Sequence, residues 1–204
     1  MKMKIRVPSN TIVNIFAVVL VALTCALPRA VRSEIPTGPS KAGNGDVTTH
    51  IALGIALARK GDRDGAISEY RQALTLDPNS WAAHNGLGNI LAQKGELDGA
   101  VGEYRTALKL KLNPNAPGVH FDLGNALARK GDLDGAVGEY RTALKLNPNG
   151  AVVHNALGLA LFYKGDLEGA IREFRQALSL DAYLAIAQEN LKRALLAQNG
   201  ASRS

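Results

Sequence analysis

Cysteine is nearly absent: the 204-residue chain has one, Cys25. Beyond it there is no disulfide, no thiolate nucleophile and no thiolate metal ligand, so the rest of the chain suits oxidising and reducing compartments alike. Aromatic residues are scarce, at 5% of the chain, and β-branched residues thin out after the N-terminal segment in favour of Ala, Leu and Gly. That composition disfavours sheet and favours helix. Acidic residues are missing before Glu34. Lys2, Lys4, Arg6, Arg29 and Arg32 supply 5 of the 24 basic residues, which leaves 19 basic against 18 acidic residues from Glu34 onward. The formal charge of +6 therefore belongs to the N-terminal end. The remainder lacks the basic stripe that phosphate contacts need, and nucleic acid is not an expected partner.

What the segment 1–33 does have is a basic start and an apolar run. The run extends from Ile12 to Leu27, interrupted by Asn14, Thr24 and Cys25. This is the layout of a secretory signal peptide, and the run is short for a permanent span of about 20 residues. Cleavage after Ser33 is one outcome and retention as a membrane anchor through residues 11–27 is another. The residues before Cys25 (Ala22-Leu23-Thr24) fit a lipoprotein site poorly. In either case the basic flank stays inside, and the rest of the chain is expected outside the cytoplasm, periplasmic or secreted. Residues 34–46, EIPTGPSKAGNGD, read as a flexible linker.

The rest of the chain repeats itself. KGDLDGAVGEYRTALKLNPN at 130–149 has near copies starting at Lys60, Lys94 and Lys164, each preceded by an H-x-x-L-G core. The histidines His50, His84, His120 and His154 recur at one period that is lengthened once, between His84 and His120. Gly54, Gly88, Gly124 and Gly158 recur with the same spacing. The two extra residues fall in Lys109-Leu110-Lys111-Leu112. Such a period marks a repeat architecture. Each unit reads as two helices. In the first, Leu53, Ala56 and Leu57 and their equivalents form one apolar face. It stops at Gly61, Gly95, Gly131 and Gly165, where glycine suits a left-handed cap. Asp64, Asp98, Asp134 and Glu168 are expected at the start of the second helix, the aspartates as N-caps. Pro78, Pro114 and Pro148 end it.

These columns closely resemble the tetratricopeptide repeat family. The matching residues of the first unit are Leu53-Gly54, Leu57, Gly61, Ala66, Tyr70, Ala73 and Pro78. Those of the second are Leu87-Gly88, Leu91, Gly95, Ala100, Tyr104, Ala107 and Pro114. The third has Leu123-Gly124, Leu127, Gly131, Ala136, Tyr140, Ala143 and Pro148. The fourth has Leu157-Gly158, Leu161, Gly165, Ala170, Phe174 and Ala177. Three departures stand out. Histidine replaces the aromatic residue often found early in the first helix, Ala182 replaces the last Pro, and Gly65, Gly99, Gly135 and Gly169 sit in the first turn of the second helix. Each such glycine is expected to cost about 1 kcal/mol against Ala.

The resemblance implies an all-α, right-handed superhelical solenoid of four helix-turn-helix units. The units fall at 47–80, 81–116, 117–150 and 151–184, followed by a capping helix at 185–198 and a tail at 199–204. In the cap, Ile186, Leu191, Leu195 and Leu196 are expected to face inward and Gln188, Glu189, Lys192 and Arg193 to stay in water. No unit buries its apolar face alone, so the units must stack.

Chemistry is not expected. The four histidines fall once per unit, about 10 Å apart at helix-packing distances, whereas metal ligands must lie near about 2 Å from one ion. They read as half-buried packing residues. The pairs Asp62/Asp64, Asp132/Asp134 and Asp166/Glu168 read as capping and turn residues rather than acid–base dyads. The glycines recur with the repeat and form no phosphate loop. No catalytic residue, cofactor or metal is expected, and the chain leaves no room of domain size outside the repeats.

In the resembling family the variable columns of the first helices line a ligand groove. Here these are Ile51, Asn85, Phe121 and Asn155, then Ile55, Asn89, Asn125 and Leu159, then Arg59, Gln93, Arg129 and Phe162-Tyr163. The expected groove residues are Arg59, Asn85, Asn89, Phe121, Asn125, Arg129, Asn155, Phe162 and Tyr163. Asn amides can hold an extended peptide backbone, and Phe121, Phe162 and Tyr163 are candidate apolar anchors. An alternative is that Phe162 and Tyr163 only cover the capping helix. A clamp for acidic chaperone tails is not expected, since Ile51, Ile55, Val152 and Ala156 stand where polar or basic residues would be needed. The resemblance thus implies a non-catalytic scaffold binding a protein or peptide. A self-associating structural repeat and an accessory subunit of an envelope complex are the alternatives.

Overall fold

A computed structural model describes residues 46–110 and 117–201. The expected leader, its cleavage or anchoring, and most of the linker lie outside them, as do Pro114 and residues 202–204. The described residues form four antiparallel helix pairs and a final helix: α1 Val47–Lys60 with α2 Arg63–Leu76, α3 Trp81–Lys94 with α4 Leu97–Lys109, α5 Pro117–Lys130 with α6 Leu133–Leu146, α7 Ala151–Lys164 with α8 Leu167–Leu180, and α9 Ala185–Ala201. No strand occurs among them, and the architecture is the expected helical solenoid. None of these helices is long and apolar enough to cross a membrane.

Each first helix ends as glycine demands. Gly61, Gly95, Gly131 and Gly165 have φ between 85 and 87°, a region that costs other residues a Cβ clash. At the first, the Gly61 amide donates to Ala58 O and the Asp62 amide to Leu57 O, both at 3.0 Å, so two otherwise orphaned carbonyls are satisfied. The next helix starts immediately, and here the sequence expectation needs correcting. The N-caps are Asp62, Glu96, Asp132 and Asp166, not Asp64, Asp98 and Asp134. Asp62 and Asp132 each accept the Gly65 or Gly135 amide at 2.9 Å, and Asp166 accepts that of Gly169 at 2.8 Å. Gly65, Gly135 and Gly169 find their reason in these bonds. A Cβ at Gly65 or Gly135 would lie 2.5 Å from the capping carboxylate, so the helix-propensity cost is offset by a cap worth about 1 kcal/mol.

The displaced aspartates join neighbouring units instead. Lys94 Nζ meets Asp64 Oδ1 at 2.8 Å. Lys130 pairs with Asp98, and Lys164 with Asp134, in the same way. The Lys94 ammonium holds the Asp64 carboxyl below its ordinary range, mainly by hydrogen bonding. All three aspartates are exposed, so each pair contributes little energy and mainly marks register.

Within a unit the two helices are held by two devices. The first is close approach. An added Cβ at Gly88 would sit 2.8 Å from Tyr104, and one at Gly124 would sit 2.6 Å from Tyr140. The rings occupy the space a side chain would need. Tyr104, Tyr140 and Phe174 are among the largest fully buried side chains. The second device had no sequence expectation. His50, His84, His120 and His154 each set Nδ1 2.6–2.7 Å from the carboxylate of Glu69, Glu103, Glu139 and Glu173 respectively. Nε2 of His84 and His154 also lies 3.1 Å from the carbonyl oxygen of Pro78 and Pro148. The histidine in place of an aromatic residue thus braces the second helix and the preceding loop. Among the described residues no three His, Cys, Asp or Glu side chains converge on a common point.

Stacking buries the repeated leucine. Leu87, Leu123 and Leu157 are 2–4% exposed, but Leu53, with no unit before it among the described residues, is 44% exposed. Among the described residues, successive first helices touch one another while successive second helices do not, which places the first helices on the inner curve. At the far end α9 packs on α8 and α7. Its buried stripe is Ala187, Asn190 and Ala194, one position off the expectation. Leu191 and Leu195 are half-buried, as is Ile186, but Leu196 is 62% exposed, which corrects its inward placement. Gln188, Glu189 and Lys192 are exposed, whereas Arg193 lies 5.7 Å from the Phe162 ring centroid.

Candidate functional site

On the inner curve, among the described residues, hydroxyl–amide pairs occur in the two middle units. In the second unit Tyr104 donates its hydroxyl proton to Asn89 Oδ1 at 2.7 Å, and in the third Tyr140 donates to Asn125 Oδ1 at 2.8 Å. In the first unit the corresponding pair is Ile55 and Tyr70; in the fourth it is Leu159 and Phe174. The hydroxyl and its amide partner are therefore present together in the middle units and replaced together by Leu and Phe at the C-terminal end. Burial pushes the Tyr104 and Tyr140 phenols far above their ordinary range, so both stay protonated donors. With its oxygen so engaged, each Asn keeps its NH2 group for another acceptor.

Between the two tyrosines stands Asp122, which sequence reasoning missed. It occupies a column otherwise held by Ala52, Gly86 and Ala156. The carboxylate is part-buried, and no hydrogen bond or ion pair to it occurs among the described residues. Burial pushes its carboxyl up to about 7, and its charge adds to the effect of burial on both tyrosines. The signal was in the sequence: one charged residue in a column of residues no larger than alanine. Nearby, Arg129 turns its guanidinium to the Ala92 carbonyl, Nη1 donating at 2.6 Å, at the C-terminal, negative end of α3. Burial depresses the Arg129 pKa, an effect opposed by Tyr104. Arg129 Nε and Asn85 Oδ1 are both buried without a hydrogen-bond partner.

Of the expected groove residues, the structure brings Asn85, Asn89, Phe121, Asn125 and Arg129 onto the inner face of the second and third units, all half-buried. The Phe121 ring lies 5.9 Å from that of Tyr140. Arg59 is exposed on the first unit. The remaining three lie at the C-terminal junction. Asn155 is 1% exposed and accepts a hydrogen bond from Asn190 Nδ2 of α9 at 3.0 Å. Phe162 is buried beneath Arg193 and meets the half-buried Tyr163 edge-on at 5.6 Å. Asn155 and Phe162 thus lie against α9 rather than on the open inner face.

Family models described as tetratricopeptide repeats match residues 51–118, 124–165 and 151–184. Among solved structures, MamA of AMB-1 is 30% identical with a TM-score of 0.60, covering 70% of this chain and 77% of that one. The chain belongs to the tetratricopeptide repeat family. A second MamA structure is 24% identical with a TM-score of 0.69, covering 75% of this chain and 82% of that one. A chain of an APC/C hetero-tetramer gives a TM-score of 0.70 at 24% identity, covering 74% of this chain but only 30% of that one. No curated protein matches the sequence. As a tetratricopeptide repeat protein the chain is a helical scaffold of a protein-binding kind. Its individual character lies in the Asn–Tyr pairs and Asp122.

Proposed function

We propose that the chain is a non-catalytic interaction scaffold that holds an extended segment of a partner protein along the inner curve of its second and third units. The carrying observation is a set of half-buried polar side chains on one face, Asn85, Asn89, Asn125 and Arg129, with the NH2 groups of Asn89 and Asn125 left over from their tyrosine bonds. A peptide backbone, with one donor and one acceptor per residue, supplies acceptors for them. The four histidines brace helix pairs, Asp62, Asp132 and Asp166 cap helices, and Asp64, Asp98 and Asp134 join units, which supports a role without catalysis. The basic start and the apolar run to Leu27 support a working place outside the cytoplasm. Alkaline-phosphatase fusions after Ser33 and after Ser80 test that location; inactive fusions at both would reject it.

The groove is tested by placing a photo-crosslinking residue at Asn85 or Phe121 on the inner face, and at the exposed Arg105 or Arg141 of the second helices. Adducts with a second protein from the inner positions alone are the expected result. Equal labelling from both faces would reject the groove.

A second reading, self-association, is favoured by one observation. The half-open Leu53 surface at one end and a hollow of about 330 Å³ lined by Leu178, Leu191, Leu195 and Leu196 at the other leave both ends of the stack apolar. Such unlike faces join head to tail. Sedimentation velocity over a wide concentration range decides it: a single monomeric species throughout removes this reading.

A further inference from the structure

We propose that Asp122 receives a lysine or arginine side chain from the segment bound in the groove, so that the second and third units select partners carrying a basic residue at one fixed position. The inference rests on the groove reading and adds the chemistry of one subsite. Stacking does not ask for a carboxylate here: the same column is filled by Ala52, Gly86 and Ala156 in the other units. Half-burying a carboxylate without a counter-charge costs the free protein stability, and no ion pair to it is supplied from within the described residues. The cation on the same face, Arg129, gives Nη1 to the Ala92 carbonyl and makes no ion pair with Asp122.

The tyrosine hydroxyls beside Asp122 donate elsewhere. The hydroxyl protons of Tyr104 and Tyr140 are spent on Asn89 and Asn125, so their phenol oxygens have only lone pairs to offer. Aromatic rings, an unpaired carboxylate and spare acceptors together suit a cation with several N–H groups. A bound anion would meet like charge, and a bound apolar side chain would leave the carboxylate unpaired. The same arrangement is absent from the first and fourth units, where Ile55 and Leu159 replace the asparagines, so the preference is confined to one step of the repeat.

The test is a random-peptide display selection on the immobilised full chain, run in parallel on the wild type, Asp122→Asn and Asp122→Ala. Wild type is expected to enrich peptides with Lys or Arg at one aligned position, and both variants to enrich peptides without that preference. For a selected peptide, replacing its basic residue by norleucine should weaken wild-type binding about tenfold or more and leave binding to Asp122→Asn unchanged, giving a non-additive cycle. Peptides selected by wild type with no basic preference, or with one that survives Asp122→Ala, overturn the proposal while the groove stands. If wild type selects no peptide at all, the groove reading falls and the proposal with it. Asp122→Ala should also melt higher than wild type in the absence of peptide, since it restores the residue of Ala52 and Ala156; a lower melting point would show the carboxylate to be a stacking element and would also overturn the proposal.

Discussion

The middle of the solenoid and its two ends share one backbone plan but not one surface. In the second and third units an asparagine meets a tyrosine hydroxyl on the inner curve. In the fourth unit Leu159 and Phe174 do the same packing without any polar group, and in the first Ile55 leaves Tyr70 without an amide partner. Rings against glycines hold the helix pairs together in every case. The stack therefore requires only the ring, and the polar atoms added to it in the middle are free to serve recognition. At the ends the same columns are used to meet a cap or are left half-open.

Removing the shared element should hurt most. Tyr140→Ala empties a fully buried ring position and is expected to cost about 3–5 kcal/mol, read from urea unfolding; a cost under about 1 kcal/mol would mean the ring does not support the stack. The leucine column offers the sharpest contrast between middle and end. Leu123→Ala should cost about 2–5 kcal/mol, while Leu53→Ala, at a position 44% exposed, should cost well under half as much. Equal costs would show that something covers the first helix.

The charged member of the middle site gives a pH signature. The Asp122 carboxyl, pushed up to about 7 in the folded chain, titrates near about 4 when unfolded. Between those values the native state holds a proton that the unfolded state has released, so this group's contribution to stability is present below about pH 4 and is lost as the pH rises to about 7. The melting temperature of wild type should therefore decline across that window relative to Asp122→Ala by several degrees. Parallel pH profiles for the two would remove the claim. Smaller still is the effect of the hydroxyl itself. Tyr104→Phe orphans Asn89 and should cost about 1 kcal/mol in the same unfolding measurement, and adding Asn89→Leu, which copies the fourth unit's pair, should recover most of it. Last comes Lys94→Ala, expected to change stability by less than about 0.5 kcal/mol because its partner Asp64 is exposed.

The period made most of the architecture legible. Helix ends at Gly61, Gly95, Gly131 and Gly165 followed from their recurrence, because one residue type satisfies one backbone conformation. The N-caps were misplaced by one D-x-D step because that motif offers two candidates; the following glycine, whose amide the cap engages, was the unused discriminator. The His–Glu brace escaped because its members lie far apart in sequence, on different helices, and never vary. The Asn–Tyr coupling was visible, since Leu159 and Phe174 change together, but only to a reader comparing columns across two helices. Asp122 was visible as the odd member of a small column. The fate of Asn155 was not, because its burial depends on how α9 docks, and Asn190 is not part of any repeat.

The Lys–Asp seams between units carry a lesson about length. Lys94 and Lys164 reach partners 30 residues back, whereas Lys130 reaches Asp98 across 32. The same junction is formed despite two additional residues in the connection, so alignment is measured across the contact rather than along the polypeptide. The joint between α4 and α5 is accordingly the natural port for inserting a tag or opening the chain for circular permutation, with the flanking helices still finding their places.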